Sequence, residues 1–339
     1  MNSKQTIITI KILLIITIFF FSGCGTDSKN ELVIYSARNE HLIKPVFDVY
    51  TKETGIKIKF VTDKEGPLLQ RLKAEGSNTP ADILITVDAG NLWHAANENL
   101  LFPVESEILN KNIPVHLRDP ENMWFGFSLR VRTIVYNTDK IDPTELSTYE
   151  DLADNKWFKR LGLRTSKKVY NQSLVAMMIS EYGIQQTEKI VEGWVRNLAA
   201  DVYMDDTRLL EAMAAGQCDV GIVNTYYFGR LLREKPELPL AIFWANQATG
   251  GVHVNVSGAG LTRYSKNKDE ATKFLEWLSG QTAQKIFAEV NLEYSANPSV
   301  EIDSFVKSWG GFEQSKINLS RAGEFQQQAV KLMDRAGYK

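Results

Sequence analysis

The sequence predicts an α/β fold of two lobes, joined by two crossing strands, with a ligand cleft between them. Three observations carry that reading. Apolar runs of strand length alternate with helical stripes over residues 32–97 and again over residues 161–244. A chain of 339 residues exceeds the roughly 250–300 residues at which a single core stops growing. Alternating apolar segments around Leu129-Arg130 and after Gly250-Gly251 sit where the chain would pass between lobes. With 44% hydrophobic and 24% charged residues the chain is globular rather than disordered. A formal net charge of −2 supplies no basic field for nucleic acid or anionic membrane.

At the N-terminus, Lys4 and Lys11 precede an apolar run from Ile12 to Phe21, then Ser22-Gly23-Cys24. A basic start, a short apolar core and small residues before a cut make a secretory signal. The run is shorter than the ~20 apolar residues a spanning helix needs. A cysteine directly after Ser-Gly resembles a bacterial lipoprotein signal. That resemblance implies a signal peptide over 1–23, a lipid on Cys24 and a tether over 24–30. The rival readings are an ordinary signal peptide and an uncleaved anchor.

Leu32 to Tyr35 is a short apolar run fit for a buried strand. From Glu40, Ile43, Val46, Phe47 and Tyr50 recur at helical spacing, with Gly55 closing the helix. Ile56 to Val61 alternates as a strand; Leu68, Leu69 and Leu72 make a helical stripe ended by Gly76; Ile83 to Val87 is the next strand and Leu92 to Asn97 a helix. This order means βαβ units and a parallel sheet. After a stretch with Pro103, Pro114 and Pro120, Phe125 to Ser128 and Val131 to Tyr136 read as strands around Leu129-Arg130. The second set has strands at Leu161–Leu163, Val202–Met204, Val220–Val223 and Leu240–Trp244. Its helices are Ser173–Tyr182, Thr187–Leu198 and Thr207–Ala215. Val252, Val254 and Val256 suggest the return crossing, followed by helices at Asp269–Leu278 and Gln281–Val290 and one amphipathic helix from Ala322 to Ala336. The first lobe is expected to hold residues 31–128 with 253–303, and the second 129–252 with 304–339. Cys218, the only cysteine after Cys24, reads as a buried bystander.

The usual catalytic signatures are missing. No Gly-x-Ser-x-Gly elbow, P-loop, His-Glu-x-x-His or complete Gly-x-Gly-x-x-Gly occurs. His41, His94, His116 and His253 make no zinc spacing with Cys218. The sequence therefore assigns no catalytic residue and points to binding rather than turnover.

The informative segments carry tyrosine. Asn224-Thr225-Tyr226-Tyr227 directly follows the buried run Val220 to Val223. The end of such a strand in an open α/β sheet points into the cleft. Taken alone, the two phenols read as half-buried core rings. A second segment, Tyr170-Asn171-Gln172-Ser173, opens a strong helix, and helix N-termini attract anions. With Tyr35-Ser36-Ala37-Arg38-Asn39-Glu40 and Phe127-Ser128-Leu129-Arg130-Val131-Arg132, these segments resemble the periplasmic ferric-iron-binding proteins of bacterial ABC importers in order and separation.

The resemblance implies a two-lobed, hinged, type II-like periplasmic binding protein with a transferrin-like tyrosine site. It places Tyr170, Tyr226 and Tyr227 on Fe³⁺, and Arg130 near the iron or a synergistic anion such as carbonate. Arg38 is a weaker anion candidate, and Gln172 and Asn224 are expected to hold the phenolates by hydrogen bonds. Many members carry His and then Tyr in the first-lobe loop; here those positions hold Asn39 and Glu40, with His41 one further on. Glu40 fits both an extra oxygen ligand and a solvated residue at a helix start, where acids are favoured anyway. Asn39 is grouped with the residues around the metal. The third-strand loop, Val87-Asp88, is expected to give no ligand. The chemistry agrees: phenolate is a hard anionic oxygen donor suited to a hard cation, and three phenolates balance Fe³⁺.

The expected partners are ferric iron, an ABC permease with its ATPase, and the membrane through the lipid alone. Nucleic acid is not expected, the protein is expected to be a monomer, and its place is the periplasmic side of the bacterial membrane. Two other readings compete. One is the same fold holding an organic or oxyanion solute without metal, and the other is a lipoprotein hydrolase.

Overall fold

The structure is a computed structural model that describes residues 30–339. The expected signal peptide, Cys24 and all of the tether but Asn30 lie outside the described residues. Strand β1 (Glu31–Ser36) is followed by α1 (Glu40–Thr54), β2 (Lys57–Thr62), α2 (Glu65–Glu75), β3 (Ile83–Thr86) and α3 (Ala89–Asn97). β1 lies between β2 and β3, parallel to both. The helices form where the apolar stripe demands. Ile43, Val46, Phe47 and Tyr50 of α1 are buried, and Gly55 ends the helix in the left-handed region at φ 77°.

Short elements β4 (Leu101–Phe102) and α4 (Glu107–Asn112) lead to β5 (Phe125–Asn137). The sequence suggests two strands here; the structure has one, thirteen residues long and buried throughout. Leu129-Arg130 looks like an interruption, but the polar side chains here, Ser128, Arg130 and Arg132, each find a partner inside the protein. Arg38 donates to Ser128, Arg130 donates to the Val256 carbonyl and Arg132 pairs with Asp206. The ladder therefore runs on. Its first half pairs with β9 (Val254–Thr262) and its second half with β7 (Val220–Asn224) and β8 (Leu240–Phe243), all antiparallel. β9 also pairs antiparallel with β3. The parallel units are thus joined through antiparallel crossings into one mixed sheet.

The second half of the chain adds β6 (Leu161–Gly162), parallel to β7, with α5 (Val169–Tyr182), α6 (Ile184–Arg196), α7 (Asp206–Ala214) and α8 (Thr225–Glu234). The strand expected over Val202–Met204 reduces to one bridge, between Arg164 and Tyr203. Helices α9 (Lys268–Leu278) and α10 (Gln281–Asn291) follow β9 and lead to β10 (Tyr294–Ser295), which pairs with β5. Helix α11 (Ser304–Lys307) precedes the C-terminal helices. The single helix expected from Ala322 to Ala336 is two, α12 (Ser320–Glu324) and α13 (Gln326–Arg335). The break at Phe325 lets α12 pack against both α3 and α5 while α13 covers α5 and α6. One straight amphipathic face could not meet partners in those directions. Cys218 is buried against Leu209, Leu210 and Met213. No helix among the described residues is long and apolar enough to cross a membrane.

Gly126 and Gly258 face each other across the β5–β9 pair, where a bulge precedes Ser128. A Cβ on Gly258 would lie 2.5 Å from the Phe125 carbonyl oxygen, a backbone atom that cannot swing aside. Forced packing of this kind costs about 1–3 kcal/mol. Gly258→Ala is expected to lower the unfolding free energy by that amount, read as a lower urea midpoint with the m-value unchanged.

Candidate functional site

β7 is buried along its whole length, and it delivers the chain to the first turn of α8, where Tyr226 and Tyr227 sit. Asn224 stands at the N-cap, yet its side chain makes no capping bond. Its Nδ2 donates instead to the Tyr226 hydroxyl at 3.3 Å, and Arg132 Nη1 reaches its Oδ1 at 3.4 Å. Giving up an N-cap typically costs about 1 kcal/mol, so this Asn is used to fix a phenol rather than to start a helix. The Tyr226 and Tyr227 rings lie 4.4 Å apart between centroids and 35° from coplanar.

Tyr170 is the second residue of α5. It lines the same cavity as Tyr226 and Tyr227. All three phenols therefore sit in the first turn of a helix, where the positive end of the backbone dipole favours anionic oxygen. They line one cavity of about 450 Å³, and the opposite wall carries Arg38, Asn39, Glu40 and Glu65. Asn39 caps α1 and Glu40 is in its first turn; both are exposed at the cavity rim.

The ionisation of the site follows from burial. Burial raises the Tyr170 pKa above that of an ordinary phenol, against the pull of Arg130. Tyr226 is pushed up well beyond it, by burial first and then by the neighbouring Tyr170 and Tyr227. Burial weighs against the Arg130 charge, but Tyr170, Glu293, Tyr226 and Asp88 around it hold its pKa above the usual value. Arg130 Nη2 donates to the Val256 carbonyl at 2.9 Å, and the guanidinium carbon lies 5.4 Å from the Tyr170 ring centroid. Its Nε has no partner among the described residues.

Two expected contacts differ. Arg38 lines the cavity, but its guanidinium is committed to Glu293, with Nη2–Oε2 at 3.1 Å, and to Ser128 at 3.1 Å. It is not a free anion donor, because a buried carboxylate already neutralises it. Gln172 does not hold a phenolate. Its amide donates to the Ser166 carbonyl and accepts from Gln326, because α5 turns that face away from the cavity. In the Val87-Asp88 loop, Val87 lines the cavity. Asp88 turns inward as the cap of α3, accepting from Gly90 N, Ser173 Oγ and Asn255 Nδ2 at 2.7–2.8 Å.

The sequence missed six charged cavity residues: Asp63, Lys64, Glu65, Lys168, Arg230 and Glu293. Arg230 was findable, since it follows Tyr226 by four on one helix and its guanidinium carbon lies 5.1 Å from that ring. Glu293 was not, because its partner Arg38 is 255 residues away. Three phenol oxygens without thiolate or imidazole suit a small, hard, highly charged cation. Among the described residues no cluster of three His, Cys, Asp or Glu side chains could hold a metal instead.

Known proteins share this architecture. The iron uptake protein A1 of Synechocystis sp. is 41% identical over 317 residues, covering 92% of this chain and 88% of the relative. The major ferric iron-binding protein of Neisseria meningitidis serogroup B is 27% identical, covering 93% of this chain and 95% of its own. Among solved structures, the Trichodesmium FutA protein, in complex with iron and citrate ligands, superposes with a TM-score of 0.87 at 44% identity. It covers 91% of this chain and 100% of that one. The apo FutA2 structure from Synechocystis gives 0.86 at 36%, over 92% of this chain and all of the other. The family model for bacterial extracellular solute-binding proteins matches residues 36–285, a span that runs from the end of β1 to α10 and includes all three tyrosines, and the chain belongs to that family.

Proposed function

We propose that this protein is the extracytoplasmic receptor of an ABC importer, which binds Fe³⁺ through the phenolates of Tyr170, Tyr226 and Tyr227 and delivers it to a membrane permease and its ATPase. The observation that carries this reading is the meeting of three phenols at two helix N-termini in one cavity. The similarity to iron uptake and ferric iron-binding proteins supports it. Binding displaces three phenol protons, and three phenolates cancel the charge of the ion. Arg130, buried and without an ion pair among the described residues, is the contact for an anion that arrives with the iron, and a cavity of about 450 Å³ has room for one. The same room favours, as second reading, an organic or oxyanion solute without metal. The opposite wall, with Glu40, closes on the loaded half by motion at the two crossings, between lobes of residues 31–128 with 253–303 and 129–252 with 304–339. The protein acts as a monomer that carries cargo and turns nothing over. A lipid on Cys24 holds it at the outer face of the membrane.

Colour separates the two readings, because ferric phenolate absorbs visible light. Protein loaded with ferric citrate is expected to be coloured. Replacing Tyr170, Tyr226 or Tyr227 by Phe removes only the ligand oxygen. Each is expected to weaken Fe³⁺ binding by more than the roughly 10–100-fold seen when a residue supporting a metal ligand is lost, and to shift or bleach the band. Glu40→Gln should do less. Native colour and affinity in all three Phe variants would refute the tyrosine site and leave the metal-free solute.

Acid should release the iron. Each phenol proton that competes with the metal costs about tenfold in affinity per pH unit, and the raised pKa values at Tyr170 and Tyr226 strengthen that competition. The bleaching of the visible band on titration from neutral to acid pH measures it; a band independent of pH would count against phenolate ligation.

Cys24→Ala should move the processed protein from the membrane to the soluble fraction. One acyl chain binds weakly, and a lipoprotein anchor has more than one. Retention of the variant on membranes after signal cleavage would disprove the anchor.

A further inference from the structure

Behind the tyrosines, away from the cavity, lies a buried charged assembly. Asp206, the first residue of α7, is fully buried. Its Oδ2 accepts from Arg132 Nη1 at 3.0 Å and from the backbone N–H of Asn224 at 3.1 Å. Its Oδ1 makes no hydrogen bond, but Arg164 Nη1 lies 3.7 Å away. Arg132 Nη2 donates to the Ile222 carbonyl at 2.9 Å, which pins the end of β7. The Arg164 backbone is pinned as well, since its carbonyl accepts from Asn171 and from the Tyr338 hydroxyl. The Arg164 guanidinium carbon lies 5.7 Å from the ring centroids of both Tyr170 and Tyr227.

Two guanidinium groups thus share one carboxylate, and all three side chains are at least nine-tenths buried. A buried charge left uncompensated is strongly unfavourable. Among the described residues, Arg132 and Arg164 form ion pairs with Asp206 alone. Arg164 also keeps Nε and Nη1 without hydrogen-bond partners. The remaining acidic atoms within its reach are the phenol oxygens of the tyrosine pair.

We infer that Arg164, held by the carboxylate of Asp206, is the positioning residue for Tyr227, its guanidinium charge beside the ring favouring the ionised oxygen at the cavity. The inference rests on the reading of Tyr226 and Tyr227 as iron ligands. Asp206 is the hub. Through Arg164 it sets Tyr227, and through the Asn224 backbone and Arg132 it sets the amide that donates to Tyr226. Arg is suited to this place because its planar fork can face a carboxylate on one edge and a phenolate on another, which an ammonium cannot do from one position.

The test compares iron affinity and the visible band in wild type, Arg164→Gln and Arg164→Lys, with far-UV circular dichroism to establish folding. Removing a cation from beside a coordinated phenolate raises the energy of its donor orbital. In Arg164→Gln the phenolate-to-iron band is therefore expected at longer wavelength, with Fe³⁺ affinity down about 10–100-fold. Arg164→Lys, which keeps the charge and loses the fork, should bring the band back toward wild type and recover part of the affinity. A purely structural role would lower stability and leave the band of the loaded protein in place. A folded Arg164→Gln with native band and affinity overturns the inference. Should Arg164→Gln not fold, the cycle of Arg164→Lys with Tyr227→Phe decides. Affinity lost on Arg164→Lys in the native background but not beside Tyr227→Phe supports the pairing, and equal losses in both overturn it. Wild-type protein that takes up no Fe³⁺ would refute the tyrosine site itself, and this inference with it.

Discussion

The structure depends on burying Arg130 and Arg132 on one strand. Both guanidinium groups are at least nine-tenths removed from solvent, two residues apart on β5, where the strand passes from pairing with β9 to pairing with β7 and β8. A cation cannot be taken out of water without partners. Arg132 is met by Asp206, so α7 must begin against the sheet. Arg130 is met by a carbonyl of β9 and by the face of Tyr170, so β9 and the start of α5 must lie beside it. The positions of the elements that carry the tyrosines follow from these two charges.

The site shows the same physics from the other side. Phenols buried together resist ionisation, and the raised pKa values of Tyr170 and Tyr226 express that resistance. Two helix N-termini and buried arginines oppose it by favouring negative oxygen at the same place. On the proposed reading, a trivalent cation would resolve the conflict, replacing the phenol protons and supplying the attraction that burial withholds. The tyrosine half of the site is built from one side of the cleft, by α5 and α8. The wall opposite contributes Glu40 and Glu65 at helix starts and the Arg38–Glu293 pair.

Reading the sequence recovers the parts of the molecule that obey local rules. The strands of the first lobe, the helical stripe of α1, the Gly55 stop and the run of β7 into Asn224 are set by short-range periodicity and turn chemistry. The tyrosines are legible because two short motifs occur in the right order. The misreadings have one source. β5 looked broken at Leu129-Arg130, where a charged side chain interrupts the apolar run, and the C-terminal helix looked continuous because its apolar stripe runs through Phe325. In both cases partners far along the chain decided the outcome.

By itself the sequence determined the α/β class, most of the succession of elements and residue types that suit a hard cation, because hydrophobic periodicity and side-chain chemistry are properties of neighbours along the chain. Tertiary structure alone decided which charges are already spent. Arg38 and Arg130 are both anion candidates in the sequence, Arg38 the weaker, but Glu293, 255 residues from Arg38, neutralises the first, while the second meets a carbonyl and a ring. Arg164 and Asp206 carried no signal at all, and they lie directly behind the phenols. The reason is that burial and charge pairing act through space, where the sum over all neighbours sets the free energy of an ionised group, and no local pattern in the chain records that sum.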